Sequence, residues 1–193
     1  MIYLVRHGQT AFNRERRLQG HVDSDLTDLG RAQAEAVGRL LQELIGQEPG
    51  WRIAASPLGR AQSTAEIIAA RLKLPVETDS RLIELSWGEW DGRLRSELEA
   101  DYPDAFGRTG WAFRAPAGES FEAASARLGD WLGGLAPEPQ RQVIAVSHGV
   151  AGRVLRGVYA GLSRDATVRQ DVPQDAVFRL SGGRIDRIDC AAI

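Results

Sequence analysis

Three short apolar runs fix the outline of this chain: each stops abruptly at a polar residue, and each is followed by a helical pattern. Ile2 to Val5, Trp51 to Ala55 and Val143 to Val146 have the length of strands. The first and third are apolar throughout and the second is interrupted only by Arg52; such runs, without alternation, suit strands covered on both faces. From Asp28 onward Leu29, Ala36, Val37, Leu40, Leu41, Leu44 and Ile45 recur at three- and four-residue spacing, the stripe of an amphipathic helix. Thr27 or Asp28 can cap it, and Gly46 or Pro49-Gly50 can stop it. After the second run, Ser56 is expected as N-cap with Pro57 at the first helical position, and the helix should reach about Leu72. Leu74 to Glu77 reads as a short strand, Leu94 to Asp101 and Glu119 to Leu135 as helices, and the third run leads into a helix ending near Tyr159. Ala176 to Leu180 and Arg184 to Ile188 flank Ser181-Gly182-Gly183, a hairpin signature. This alternation predicts an α/β fold, a three-layer αβα sandwich around a mostly parallel sheet. No repeat or linker divides the 193 residues, so one domain over 1–193 is expected, with a small lid insertion of loop-like composition at about 102–118.

The three junctions carry the chemistry. The first run ends in Arg6-His7-Gly8, the second in Ser56-Pro57-Leu58-Gly59-Arg60, the third in Ser147-His148-Gly149. In a parallel sheet they open on one carboxyl edge, where ligands of open α/β sheets bind. Two arginines and two histidines would meet there beside helix N-termini, whose free N–H groups favour an anion. One histidine after a strand would be ordinary; two of only three, each followed by glycine, are not. The expectation is a phosphate or carboxylate site. His21, in the polar stretch Gln19 to Asp23, reads as a rim or surface residue.

Composition narrows the rest. The net charge of −2 gives no general attraction to nucleic acid or an anionic membrane surface. Lys73 is the only lysine among 24 basic residues, so an anion site here must be built from arginine forks. The single cysteine, Cys190, excludes an internal disulfide and a cysteine zinc cluster. No segment is long enough to span a membrane, and the apolar run after Met1 is too short for a signal peptide, so a cytoplasmic protein is expected.

Leu4-Val5-Arg6-His7-Gly8-Gln9-Thr10, with Asn13, Arg17 and Gln19-Gly20, resembles the opening of the histidine phosphatase superfamily, also called phosphoglycerate-mutase-like. Leu26-Thr27, Gly30 and Gln33-Ala34 continue the resemblance. So do Ser56-Pro57-Leu58 with Arg60-Ala61 and Thr64-Ala65, Glu84 with Gly88, Trp90 and Gly92, Gly118-Glu119-Ser120, and Val146-Ser147-His148-Gly149. The ordered set covers roughly the first 155 residues and is far more specific than Arg-His-Gly alone. The resemblance implies that a neutral His7 attacks phosphorus in line, and that Arg6, Arg60 and His148 hold the equatorial oxygens. Glu84 then serves as general acid and afterwards as base. It further implies Asn13 as a phosphate donor, Gln19 and Gly20 in the substrate pocket, and no metal or other cofactor. Two histidines and a carboxylate can also ligate zinc or iron, but the neighbouring arginines would repel a cation.

Within that family, phosphatases and mutases share the core. This chain is short, with Arg16-Arg17-Leu18-Gln19-Gly20 where mutases carry another stretch and without a proline-rich lid, so hydrolysis of a small phosphate ester is expected. Mutase activity and a non-catalytic phosphoryl-binding protein are the alternatives. Trp87, Trp90, Trp111 and Phe113 are candidates for an apolar wall around the leaving group, with core packing the competing reading. Trp131 is assigned to the core. Arg108 and Arg114 either contact a second anionic group or are solvated. The C-terminal hairpin, if it lies at a sheet edge, is where a homodimer would pair.

Overall fold

The structure, a computed structural model, describes residues 1–191. In chain order the elements are β1 (Ile2–Arg6), α1 (Ala11–Glu15), α2 (Asp28–Ile45), β2 (Arg52–Ala55), α3 (Gly59–Leu72), β3 (Val76–Thr78), α4 (Arg95–Asp101), α5 (Pro103–Phe106), α6 (Phe121–Gly133), β4 (Val143–Ser147), α7 (Gly149–Ala160), α8 (Arg164–Val168), β5 (Ala176–Ser181) and β6 (Arg184–Asp189). The strands form one sheet in the order β3-β2-β4-β1-β5-β6. β3, β2, β4 and β1 run parallel, and the C-terminal hairpin adds two antiparallel strands.

Strand periodicity splits the core between the two faces. Tyr3, Val5, Ile53, Ile144 and Val146 pack with Val37, Leu41 and Ile45 of α2 and with Ala61, Ala65 and Ile68 of α3. Ile2, Leu4, Val143 and Ala145 pack with Leu128 and Trp131 of α6 and Val154 and Leu155 of α7. Helices therefore cover both faces in three layers, as the alternation implies. Thr27 caps α2 through the Gly30 N–H, and Gly46 closes the helix at φ +55°, a conformation cheap only for glycine.

Three local expectations are corrected. Ser56 does not cap the following helix. α3 begins at Gly59, and its first N–H groups, those of Gly59 and Arg60, donate instead to the Asp23 carboxylate. The segment 102–118 is not loop throughout, since it holds α5 and a 3₁₀ turn at Trp111–Phe113. Trp90 is core: it is 1% exposed, stacked on Phe106 and in tilted contact with Tyr102, and it does not line the cleft that holds His7, so it forms no part of a leaving-group wall. Trp131, also 1% exposed, is core as expected. No helix among the described residues is long and apolar enough to cross a membrane.

Candidate active site

Register brings the three junctions together. Arg6 pairs with Ser147 and Ala55 with Val146, and the ladder runs one step past the strands: the His7 N–H donates to the Ser147 carbonyl and the Ser56 N–H to the Val146 carbonyl, both at 3.0 Å. His7 and His148 end 5.1 Å apart, centroid to centroid. Arg6, His7, Asn13, Gln19, Gly20, Arg60 and Glu84 line one cleft of about 780 Å³, together with Trp87, Trp111 and Arg153.

His7 is 2% exposed, and its Nδ1 lies 2.8 Å from the Gly8 carbonyl oxygen. A carbonyl only accepts, so Nδ1 carries the proton and Nε2 keeps its lone pair. Burial, with Arg6 and Arg60 nearby, holds the His7 pKa well below the ordinary imidazole value, so the ring is neutral at pH 7. The loop is set by close backbone approach. A Cβ on Gly8 would stand 2.2 Å from the Gly30 carbonyl oxygen, and one on Gly30 would stand 2.0 Å from that of Gln9. The Gly8 N–H donates to Thr64 Oγ1 at 3.1 Å, fastening the loop to α3 as well.

The groups around His7 are donors, each anchored on one side and free on another. Arg6 donates through Nη1 to the Val172 carbonyl, while its buried Nε has no partner. Burial lowers its pKa to about 10, which still leaves it charged at neutral pH. Arg60, 2% exposed, donates to the carbonyls of Val22 and Gly20 and pairs with Asp23 at 3.0 Å; its Nε is also buried without a partner. His148 Nε2 lies 2.7 Å from Ser56 Oγ, which already accepts from the Leu58 N–H. The Ser56 hydroxyl hydrogen is satisfied by donating to that Nε2, which places the His148 proton on Nδ1, the ring nitrogen buried without a partner. Burial, followed by the positive field of its neighbours, also lowers the His148 pKa well below the ordinary value. Asn13 Oδ1 accepts from the Thr10 N–H and from Gln174 Nε2, so its Nδ2 is the end left to donate. Buried donors without partners are rare in folded proteins; Arg6 and Arg60, which carry two of them, line the cleft, and His148, which carries the third, sits beside His7, a set that suits a multivalent oxyanion.

Glu84 is 7% exposed, beside Leu82 and Leu85, which are fully buried. Its carboxylate is nonetheless not in apolar surroundings. It accepts from the N–H groups of Leu85 at 3.0 Å, Val150 at 3.2 Å and Ala151 at 2.8 Å, the last two in the first turn of α7. A helix N-terminus is a natural seat for a carboxylate, and here it aims Glu84 into the cleft's lining. His21 is exposed, as expected of a rim residue, and its Nε2 contacts the Glu84 carbonyl oxygen at 2.9 Å. Among the described residues no group of three His, Cys, Asp or Glu is placed to hold a metal ion.

Sequence reasoning missed the supports. Gln174 Nε2 donates both to the His7 carbonyl at 3.0 Å and to Asn13, from 167 residues away along the chain. Val172 holds Arg6, and Asp23 holds Arg60. Asp23 lies in the polar stretch Gln19 to Asp23 but 37 residues before Arg60, so no local pattern tied it to that arginine. Arg108 and Arg114 are solvent-exposed and outside the cleft, whereas Arg153, not singled out from sequence, lines it.

Residues 2–184 match the histidine phosphatase superfamily (branch 1). The chain is 37% identical over 163 residues to glucosyl-3-phosphoglycerate phosphatase of Mycobacterium tuberculosis H37Rv, covering 77% of this chain and 70% of the relative. It is 37% identical over 193 residues to the probable phosphoglycerate mutase GpmB of Erwinia tasmaniensis, covering 97% and 84%. The structure of mycobacterial glucosyl-3-phosphoglycerate phosphatase complexed with VO3 superposes with a TM-score of 0.83 at 30% identity, covering 98% of both chains. With the motif order, the sheet and the cleft agreeing, the chain belongs to branch 1 of the histidine phosphatase superfamily.

Proposed function

We propose that this protein hydrolyses small phosphomonoesters through a phosphohistidine on His7. The observation that carries the reading is a neutral, buried imidazole with its Nε2 lone pair free, among Arg6, Arg60, His148 and Asn13 with unengaged donors. His7 Nε2 attacks phosphorus, and the four donors hold the equatorial oxygens as charge redistributes. Glu84 gives its proton to the departing alkoxide. Glu84 then takes a proton from water as that water attacks the phosphohistidine, releasing inorganic phosphate and restoring His7. The test is hydrolysis of aryl and alkyl phosphates by wild type and variants. His7→Ala should abolish turnover on both. Glu84→Gln should slow alkyl esters, whose poor leaving group needs the proton, more than aryl esters. Equal slowing, or an effect on binding alone, would remove Glu84 from the acid role.

Mutase activity is the second reading, favoured by the GpmB match over 97% of this chain. Incubation with 3-phosphoglycerate and its bisphosphate separates the two: 2-phosphoglycerate marks a mutase, inorganic phosphate a hydrolase. Homodimerisation through the C-terminal hairpin would pair β6, one of the two edge strands, whose Arg184, Asp186, Arg187 and Asp189 are the charges that blunt such edges.

A further inference from the structure

A second cavity of about 340 Å³ adjoins the catalytic cleft, the two sharing Trp111, Val150 and Arg153. Its other walls are mainly apolar, among them Phe113, Val154 and Val168, with the exposed Arg169 at its mouth. Its position follows from in-line chemistry. The leaving oxygen departs opposite His7 Nε2, towards the acid that protonates it. Glu84 is bonded to the N–H groups of Val150 and Ala151, so the alcohol must lie beside the first turn of α7. Val150 lines both cavities, and Arg153, three residues on, extends the same helix face about one turn further.

Arg153 is the cation left over. Arg17, Arg60 and Arg95 of the cleft are paired with Glu15, Asp23 and Glu99, and Arg16 is solvent-exposed. Arg6 belongs to the phosphoryl cradle. Arg153 is half-buried and holds only the Gln170 carbonyl through Nε; no other hydrogen bond and no ion pair of its guanidinium occurs among the described residues. Burial lowers its pKa and Glu84 partly offsets this. A partly desolvated guanidinium without a carboxylate is poised for one from outside. Trp111 opposite it is rigid, stacked on Phe106 at 4.8 Å and edge-on to Trp87 at 5.6 Å.

We propose that this side cavity is the alcohol subsite, and that Arg153 selects phosphomonoesters whose alcohol carries a second anionic group, a carboxylate or another phosphate. The inference rests on the phosphohydrolase reading above. It is tested with matched pairs: 3-phosphoglycerate against glycerol 3-phosphate for the carboxylate, and fructose 1,6-bisphosphate against fructose 6-phosphate for the phosphate. Wild type should favour the anionic member of at least one pair by roughly ten- to a hundredfold in kcat/KM, the range of a charged hydrogen bond. Arg153→Gln should shrink that ratio to about one, and Arg153→Lys should restore part of it. Which pair responds identifies the anion. The same four compounds are measured by calorimetry against His7→Ala protein with and without Arg153→Gln, so the preference is read without turnover. An absent preference in wild type overturns the proposal, as does an equal loss for both members of each pair, which would put Arg153 on the transferred phosphate. If the binding preference persists while no His7-dependent hydrolysis occurs, the hydrolase reading fails and the subsite stands.

Discussion

Gly30→Ala tests how the nucleophile is positioned, because two effects of opposite sign meet there. Gly30 lies in the first turn of α2, where alanine gains up to about 1 kcal/mol in helix propensity. Its new Cβ would stand 2.0 Å from the Gln9 carbonyl oxygen, 2.8 Å from that residue's nitrogen and 2.9 Å from its carbonyl carbon. All three are main-chain atoms, so no rotamer change relieves the clash. The Gly8–Gln9 backbone must retreat from α2 by roughly 1 Å to approach an ordinary contact. Overpacking of this kind costs about 1–3 kcal/mol, which exceeds the propensity gain. His7 is one residue from Gly8, and a misplacement of about 1 Å costs on the order of a hundredfold in rate. Gly38→Ala in the same helix is the control, since its nearest contact is the flexible Arg71 side chain at 3.3 Å. The assay is urea denaturation beside kcat for an aryl phosphate. Gly30→Ala should lose stability and about a hundredfold in kcat, while Gly38→Ala keeps both. Should Gly30→Ala match Gly38→Ala in stability and rate, the close approach of Gly8 and Gly30 does not position His7.

Two further variants probe the surroundings of the nucleophile. His7 and His148 have pKa values lowered by folding, so protons favour the unfolded chain: stability is intact above the ordinary pKa of about 6.5 and falls as pH drops below it. Between about pH 7 and about pH 5.5 the wild type should lose about 1 kcal/mol more than His148→Gln, and identical pH dependence would contradict the buried neutral state. Gln174→Leu removes the donor to the His7 carbonyl and Asn13 Oδ1 at similar side-chain volume. It should weaken inhibition by inorganic phosphate, and the loss should vanish in an Asn13→Ala background; additive losses would mean that Gln174 does not act through Asn13.

What the sequence revealed and what it concealed have separate physical causes. The strands before His7, Arg60 and His148 are built on short apolar runs, so their burial and shared carboxyl edge could be argued locally, and the sheet order agrees. The α2 boundaries were legible because Thr27 and Gly46 are strong end signals. Ser56 misled because Ser-Pro before a helix looks like a cap, whereas its hydroxyl is taken by His148, 92 residues away, and Asp23 caps α3 from outside. Gln174, Val172 and Arg153 escaped for a similar reason: their roles come from long-range packing of the segment after α8 and of α7 against the cleft, which no local pattern encodes. Trp87 and Trp90 look alike in sequence, yet only Trp87 borders the cleft.

The central claim concerns one bond, from phosphorus to His7 Nε2. Rapid acid-free quenching during turnover of a phosphate ester, followed by peptide mass spectrometry, reads it directly. The account predicts an acid-labile, alkali-stable phosphoryl group on the peptide containing His7, formed and lost at rates that match turnover, and absent in His7→Ala. Label on another residue, or His7→Ala protein that turns over as fast as wild type, would contradict it.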